Sequence, residues 1–155
     1  MILDDFDRPI QREEFFIDRL NYNPDTFPIE CRECNETFKK NKLRKEIKSY
    51  HYIISFDPAD ATECRLTCEK AQSLCLELSQ KIFPGYQALV VTHTDGHNES
   101  GNIHTHIVIN SVRKYSADRE PYMSRPHDHE AGYKNRSTDK FMTYFKNEVM
   151  DMCHR

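Results

Sequence analysis

The stretch from Gln87 to Val112, QALVVTHTDGHNESGNIHTHIVINSV, decides the fold. Its two ends, QALVVTH (87–93) and IHTHIVINSV (103–112), are rich in apolar and β-branched residues, and a polar loop with two glycines separates them. Alternation of this kind around a polar, glycine-containing loop is typical of two antiparallel strands. We therefore predict a β-hairpin formed by these two segments.

Strand and helix signals alternate on both sides of this hairpin. SYHYIISF predicts a strand that stops before Asp57-Pro58, and the apolar residues after Asp60 recur at helical spacing until Pro84-Gly85. The first 24 residues give only loop and turn signals. The remaining predicted elements are the strand over Ser49–Phe56, the helix through Ala71 to Ile82, a short helix over Thr26 to Lys40 and a final helix from Ser137 onward.

Length and composition indicate one soluble domain. The chain has 155 residues, of which 37% are hydrophobic and 30% charged, and we expect a single domain over residues 1–155. Apolar runs reach nowhere near the roughly 18 residues of a membrane span, and the acidic start MILDDFDRP is unlike a signal peptide. We therefore predict a cytoplasmic protein.

The six cysteines fit a reduced protein rather than a disulfide framework. Cys31 and Cys34 form a C-x-x-C pair, but no second ligand pair lies at zinc-finger distance. We interpret them as two thiols on a helix edge. Cys75 falls on the apolar stripe of its helix, where a cysteine behaves as a small hydrophobic residue.

Charge is distributed unevenly along the chain. Residues 1–36 hold ten acidic and four basic side chains, so the remainder holds fifteen acidic (25 − 10) and eighteen basic (22 − 4). Two basic stretches stand out, KKNKLRKEIK (39–48) and the loop 113–136 with six Lys or Arg. Such runs are ordinarily solvated surface, and they gain meaning only beside a phosphate-binding site.

Three histidines form a candidate metal site. Side chains alternate along a strand, so His104 and His106 share one face, and His93 joins them if it lies opposite His104. Three neutral imidazoles bind a divalent metal and leave coordination positions open for a substrate, which favours catalysis. Asp95 could accept a hydrogen bond from the second ring N–H of a ligating histidine and so fix its tautomer.

The other histidines are weaker candidates. His97, in an Asp-Gly-His-Asn loop, is the rival of His93 as a ligand. His51 could lie beside the site, as a contact to its substrate or to a ligating histidine, or it could be an ordinary strand residue. His127 and His129 lie in the basic loop, and solvated surface is our interpretation of both.

The segment HTDGHNESGNIHTHIVINS (93–111) resembles the metal motif of the MobA-type relaxase and mobilisation nuclease family, in the HUH endonuclease superfamily. That motif is His-x-Asp, a variable loop, and His-x-His followed by an aliphatic run and Asn. HYIISFDP and FPGYQALV are similar to relaxases of conjugative elements in Gram-positive anaerobes, and the resemblance runs from about Ile2 to the C-terminus. It implies an α+β fold, with an antiparallel central sheet flanked by helices. It also implies a bound Mg²⁺ or Mn²⁺ and nicking of single-stranded DNA at a transfer origin of a plasmid or transposon.

The resemblance also assigns residues. It makes His93, His104 and His106 the metal ligands and Asn110 the motif asparagine, close to that metal. Thr105 stands where the family usually has an aliphatic residue, a mild change because threonine is also β-branched. Accessory mobilisation proteins become possible partners, and the basic stretches become the surface that holds DNA. The expected DNA contacts are Lys39, Lys40, Lys42, Arg44, Lys45, Arg113 and Lys114.

The family's nucleophile is a tyrosine in an N-terminal motif, and we expect that motif to precede the part of the fold in this chain. The chain would then be a partial domain at both ends, or a shortened one. Tyr22 is a weak substitute. Two alternatives stay open: a non-catalytic module that binds metal and DNA, and a metal hydrolase in which Asp95 serves as general base.

Overall fold

A computed structural model describes residues 15–21, 27–56, 66–94 and 103–153. The described strands form one antiparallel sheet in the order β1-β3-β4-β2, which confirms the expected α+β fold. No helix within these ranges is long and apolar enough to cross a membrane. In chain order, the elements are β1 (Phe15–Leu20), α1 (Phe27–Thr37), β2 (Ser49–Ser55), α2 (Cys68–Ile82), β3 (Ala88–Thr94), β4 (Ile103–Asn110) and α3 (Asp139–Cys153).

The predicted hairpin forms the centre of this sheet. β3 and β4 pair antiparallel, with Ala88 opposite Ile109 and His93 opposite His104. β4 ends at Asn110, two residues before the predicted end, and Val112 makes only an isolated bridge with Lys134. The hairpin prediction is confirmed, including the register on which the histidine hypothesis depends.

Helices α2 and α3 cover one face of the sheet, which we call the covered face. Val90, Ile107 and Ile109 of the two central strands are completely buried there, among apolar residues of α2 and α3. β-Branched residues pack well on a pleated surface, and their burial supplies most of the driving force for folding.

Local sequence sets the bounds of α2. The hydroxyl of Thr67 accepts a hydrogen bond from the backbone N–H of Lys70, which satisfies a donor at the start of the helix. The helix ends at Ile82, and the chain then turns through Gly85 at a φ of +82°. A Cβ at Gly85 would lie only 2.0 Å from the carbonyl oxygen of Tyr115, so glycine is required at this turn.

Strand β1 was not predicted. Its sequence, FFIDRL, pairs with β3 at one edge of the sheet, with Phe16 and Leu20 packed against the core. Between them Asp18 also points to the covered face, which breaks the apolar alternation that identifies a strand. The Asp18 carboxylate accepts a hydrogen bond of 3.0 Å from the side chain of Gln72 on α2.

Thr105 stands where the family that the sequence resembles usually has an aliphatic residue, and the structure explains this difference. Thr105 is fully buried on the covered face, directly opposite Thr92 of β3, and the two hydroxyl oxygens are 2.7 Å apart. The Thr105 hydroxyl also hydrogen-bonds the thiol of Cys75. Because buried hydroxyls need partners, the two threonines satisfy each other within an otherwise apolar layer.

Candidate metal centre on the open sheet face

The second face of the sheet carries the histidines. Strand alternation places on it Ile17 and Ile53, which are 52% and 56% exposed, and the partly exposed Val91. We call this surface the open face. Its members from the four strands are Ile17, Arg19, Leu89, Val91, His93, His104, His106, Val108, Asn110, Ser49, His51, Ile53 and Ser55.

The three predicted ligands meet on the open face. His93 lies directly opposite His104, and His106 follows two residues later on the same face. The Nε2 atoms of His93 and His106 are 2.8 Å apart, and their rings stack with centroids 4.9 Å apart. The ring of His104 lies 5.9 Å from that of His93, between centroids.

A fourth histidine joins them from β2. The Nε2 atom of His51 lies 2.8 Å from Nδ1 of His106, so His106 is hydrogen-bonded through both ring nitrogens. Of the two possibilities open for His51, the structure favours a place beside the site. If Nε2 of His106 is to offer its lone pair to a metal, Nδ1 must carry the proton and donate it to His51.

The donor set suits a divalent cation in its chemistry. Burial and, after it, the neighbouring His93, His51 and His104 lower the pKa of His106, which favours the neutral ring that ligates metals. The Nε2 atoms of His93 and His106 already lie 2.8 Å apart. As placed, however, no group of three or more His, Cys, Asp or Glu side chains in the described ranges is arranged to hold a metal ion. A cation would have to replace the hydrogen bond between His93 and His106.

Asn110 does not lie beside the histidines. It is on the same face of β4 as His106 but four residues further along, which places it about 13 Å away. Its side-chain N–H₂ donates to Asn35 Oδ1 at 3.0 Å and to Gln87 Oε1 at 3.2 Å. The expectation that Asn110 lies close to the metal is therefore wrong, because the strand carries it to the other end of the open face.

Arg113 is a second correction. It was expected to contact DNA, but only 1% of its surface is exposed. Its guanidinium donates to the carbonyl of Pro84 and lies 4.4 Å from the centroid of the Tyr86 ring. Arg113 thus holds the turn after α2 against the loop 113–136 and is not available to a phosphate.

Other cations of that loop are also engaged within the protein. Arg119 donates to three backbone carbonyls of the loop, Arg136 pairs with Asp128, and Lys134 pairs with Glu46. Lys114 donates to the carbonyl of Asn21 at 3.3 Å and stays partly exposed. Because these contacts engage the basic side chains within the protein, they weaken the prediction that the loop binds DNA.

The basic run 39–48 is placed differently. It follows α1 and leads into β2. Glu46, its one acidic residue, orders the run, because the Glu46 carboxylate accepts hydrogen bonds from the backbone N–H groups of Asn41 and Leu43. The expected DNA contacts within it lie at the surface, Lys40 being partly covered. They are Lys39, Lys40, Lys42, Arg44 and Lys45.

Several candidates cannot be placed. Asp95, His97 and Tyr22 lie outside the described residues. Among the strands that are described, none carries a tyrosine on the open face, and Tyr50 and Tyr52 of β2 point to the covered one.

The C-x-x-C pair lies on α1, as the interpretation of two helix-edge thiols expects. Burial raises the pKa of Cys31 to about 12 and also raises the pKa of Cys34. Both are therefore neutral thiols at neutral pH, whereas a metal ligand is the thiolate.

Known proteins resemble this chain along most of its length. A family model described as "Relaxase: MobA/VirD2-like, nuclease domain" matches residues 8–130. A protein named rlx from Staphylococcus aureus is 35% identical over 107 residues, which cover 69% of this chain and 26% of the relative. A second rlx protein of that organism is 35% identical over 79 residues, covering 48% of this chain and 22% of its own length.

This chain thus spans about a quarter of the length of these relatives. No solved structure matches it. The family match covers far more than half of the residues and includes β1 to β4 with all four histidines of the open face. The chain belongs to the relaxase family, in the group whose nuclease domain is of the MobA/VirD2-like type.

Proposed function

We propose that this chain is the metal-dependent part of a relaxase that binds and nicks single-stranded DNA at a transfer origin. The observation that carries the proposal is the convergence of His93, His104 and His106 from two paired strands on an exposed sheet face. Three imidazoles that converge on an exposed face are a donor set for a divalent cation, and the family membership indicates what that cation would act on.

The proposed roles follow from the geometry. His93, His104 and His106 would hold Mg²⁺ or Mn²⁺, and His51 would accept the Nδ1 proton of His106 and so keep its Nε2 lone pair directed at the cation. When bound, the cation supplies polarisation of the scissile phosphate and stabilises its developing negative charge. The exposed strands beside the histidines give the DNA strand a surface to lie on. Accessory mobilisation proteins and a cytoplasmic location belong to the same proposal.

A non-catalytic module that binds metal and DNA is the second candidate. It is favoured by the absence of a tyrosine from the open face of the described strands. In a relaxase that residue attacks the phosphodiester and stays joined to the 5′ end of the DNA, so its position decides between the two functions.

A cleavage assay separates these functions. The protein, with Mn²⁺ or Mg²⁺, is incubated with end-labelled single strands that tile the DNA around its gene, and the products are separated on denaturing gels. A covalent protein–DNA adduct at one site supports the relaxase. Metal-dependent binding with no cleavage supports the module, and a free 5′-phosphate without an adduct supports a metal-bound water as nucleophile. His104→Ala is the control, and it should abolish whichever metal-dependent signal the wild type gives.

A further inference from the structure

A cavity of about 800 Å³ lies between α1 and the sheet, at the end of the open face away from His104. Phe27, Pro28 and Asn35 of α1 form one wall, and the start of the basic run forms another. The sheet supplies Ser49, Val108 and Asn110. Val108 pairs with His51 in the sheet, so the cavity is continuous with the open face.

The charge around the cavity favours an anion. Its lining contains five basic side chains and one acidic side chain, Glu36. Two of the basic groups also have partners inside the protein, since Lys40 lies over the ring of Tyr133 and Lys48 donates to two carbonyls of the basic run. Lys39 and Lys42 are exposed at its rim. The basic residues are Arg32, Lys39, Lys40, Lys42 and Lys48.

Amide groups inside the cavity provide polar recognition. Asn110, which sequence resemblance linked to the metal, instead donates to Asn35 Oδ1 at 3.0 Å. This hydrogen bond fixes the orientation of the Asn35 amide, so its Nδ2 remains as a donor, and it has no hydrogen bond within the described residues. Phe27, Pro28 and Val108 add apolar surface of the sort on which a base can stack.

We propose that this cavity binds one nucleotide of the single strand whose phosphate is cut at the histidines. The base would lie against Phe27 and Val108 and accept a hydrogen bond from Asn35, while Lys39 and Lys42 neutralise the adjoining phosphates. Because Asn110 is about 13 Å from His106, the bound nucleotide is not the one at the metal but one further along the strand. This inference rests on the proposed function, since it assigns a second contact to the same DNA strand.

Fluorescence anisotropy with two labelled 15-mers tests the inference. One probe is dT15, and the other is an abasic 15-mer with the same phosphates and no bases. Stacking contributes about 1–3 kcal/mol per base, so the wild type should bind dT15 at least about fivefold more tightly than the abasic strand. Asn35→Ala should reduce this preference severalfold. Met150→Ala, an exposed position on α3 at the opposite side of the sheet, should leave it unchanged.

Lys42→Ala separates the contribution of the phosphates to binding from that of the bases. It should weaken binding of both probes equally and lower the slope of log affinity against log salt by about one unit. A 15-mer that carries 5-iododeoxyuridine provides a readout that needs no variant, because irradiation should cross-link it to the peptide 27–42.

The outcomes distinguish the two proposals. Full base preference in Asn35→Ala, or cross-links that avoid the peptide 27–42, would overturn the cavity assignment and leave the proposed function standing. Failure of the wild type to bind either probe, with or without Mn²⁺, would contradict the proposed function itself.

Discussion

The two faces of the sheet are built from the same strands, yet they differ in almost every physical property. On β4, Ile107 and Ile109 are completely buried under α2, whereas His104 and His106, which precede them on the opposite face, stay partly exposed. The covered face has apolar side chains and satisfied hydroxyls, and the open face has four imidazoles in contact. One strand therefore encodes stability at alternate positions and candidate chemistry at the positions between them.

Two adjacent isoleucines of β2 test this division most strongly. Ile54 is 7% exposed on the covered face and Ile53 is 56% exposed on the open face. Ile54→Ala should lower the free energy of unfolding by about 2–5 kcal/mol, because it removes buried methylenes and leaves a cavity, whereas Ile53→Ala should change it by less than roughly 0.5 kcal/mol. Urea unfolding followed by circular dichroism measures both. Equal losses in the two variants would refute the assignment of the faces.

The threonine pair sharpens the description of the covered face. Thr105→Val should destabilise the protein by about 1–3 kcal/mol, because it leaves the buried hydroxyl of Thr92 without its partner. The double variant Thr92→Val with Thr105→Val should recover much of that loss, since an apolar pair of the same shape has no unmet hydrogen bond. A double-mutant cycle in urea gives the coupling energy. Strictly additive effects would show that the two hydroxyls do not interact.

His51 tests whether the open face works as a connected site. His51→Ala should lower Mn²⁺ affinity by about 10- to 100-fold through loss of the hydrogen bond that orients His106. His51→Gln, which keeps an acceptor near Nδ1 of His106, should recover part of the affinity. Titration calorimetry measures the affinities, and unfolding curves should be nearly unchanged because His51 is exposed. Wild-type Mn²⁺ affinity in His51→Ala would remove His51 from the site.

The partial burial of Cys31 gives the smallest expected effect. This residue lies on α1, where the helix covers the end of the open face. Burial raises the pKa of its thiol from 9.0 to about 12, so the folded protein keeps this proton where the unfolded chain loses it. Since the folded state then binds more protons, stability should fall as the pH rises above 9.

Alkylation provides the measurement. Between pH 8 and pH 10 the rate of iodoacetamide reaction at Cys31, followed by mass spectrometry, should rise about tenfold per pH unit in the native protein. In urea the same rate should level off near the ordinary pKa of 9.0. A native rate that levels off at that same pH would show that the thiol is not buried.

What could be predicted from the sequence was local. The hairpin and helices α1, α2 and α3 follow from alternation, helical spacing and turn residues close in sequence, whereas the register of His93 opposite His104 was only a condition that the structure meets. β1 was not predicted because Asp18 interrupts the apolar side of the strand. The hydrogen-bond partner of Asp18 is Gln72, which lies 54 residues away in the sequence. The burial of Arg113 was not predicted either, because a basic residue in a polar loop gives no sign of the aromatic ring against which it packs.

The site was predictable only in part for a related reason. Two candidate ligands two residues apart on one strand can be identified from spacing alone, but the contact between His51 and His106 depends on how β2 pairs with β4. Asn110 was assigned by motif, and only the pairing of distant segments shows that it supports Asn35, 75 residues away. Non-local pairing therefore determines which histidine contacts His106 and which side chain Asn110 holds.

The central claim is that the open-face histidines bind a divalent cation, and Mn²⁺ titration of the wild type and His106→Ala tests it most directly. Isothermal calorimetry should show one site in the wild type and no measurable binding in His106→Ala, with circular dichroism spectra that coincide. Unchanged Mn²⁺ binding in the folded His106→Ala variant would contradict the account.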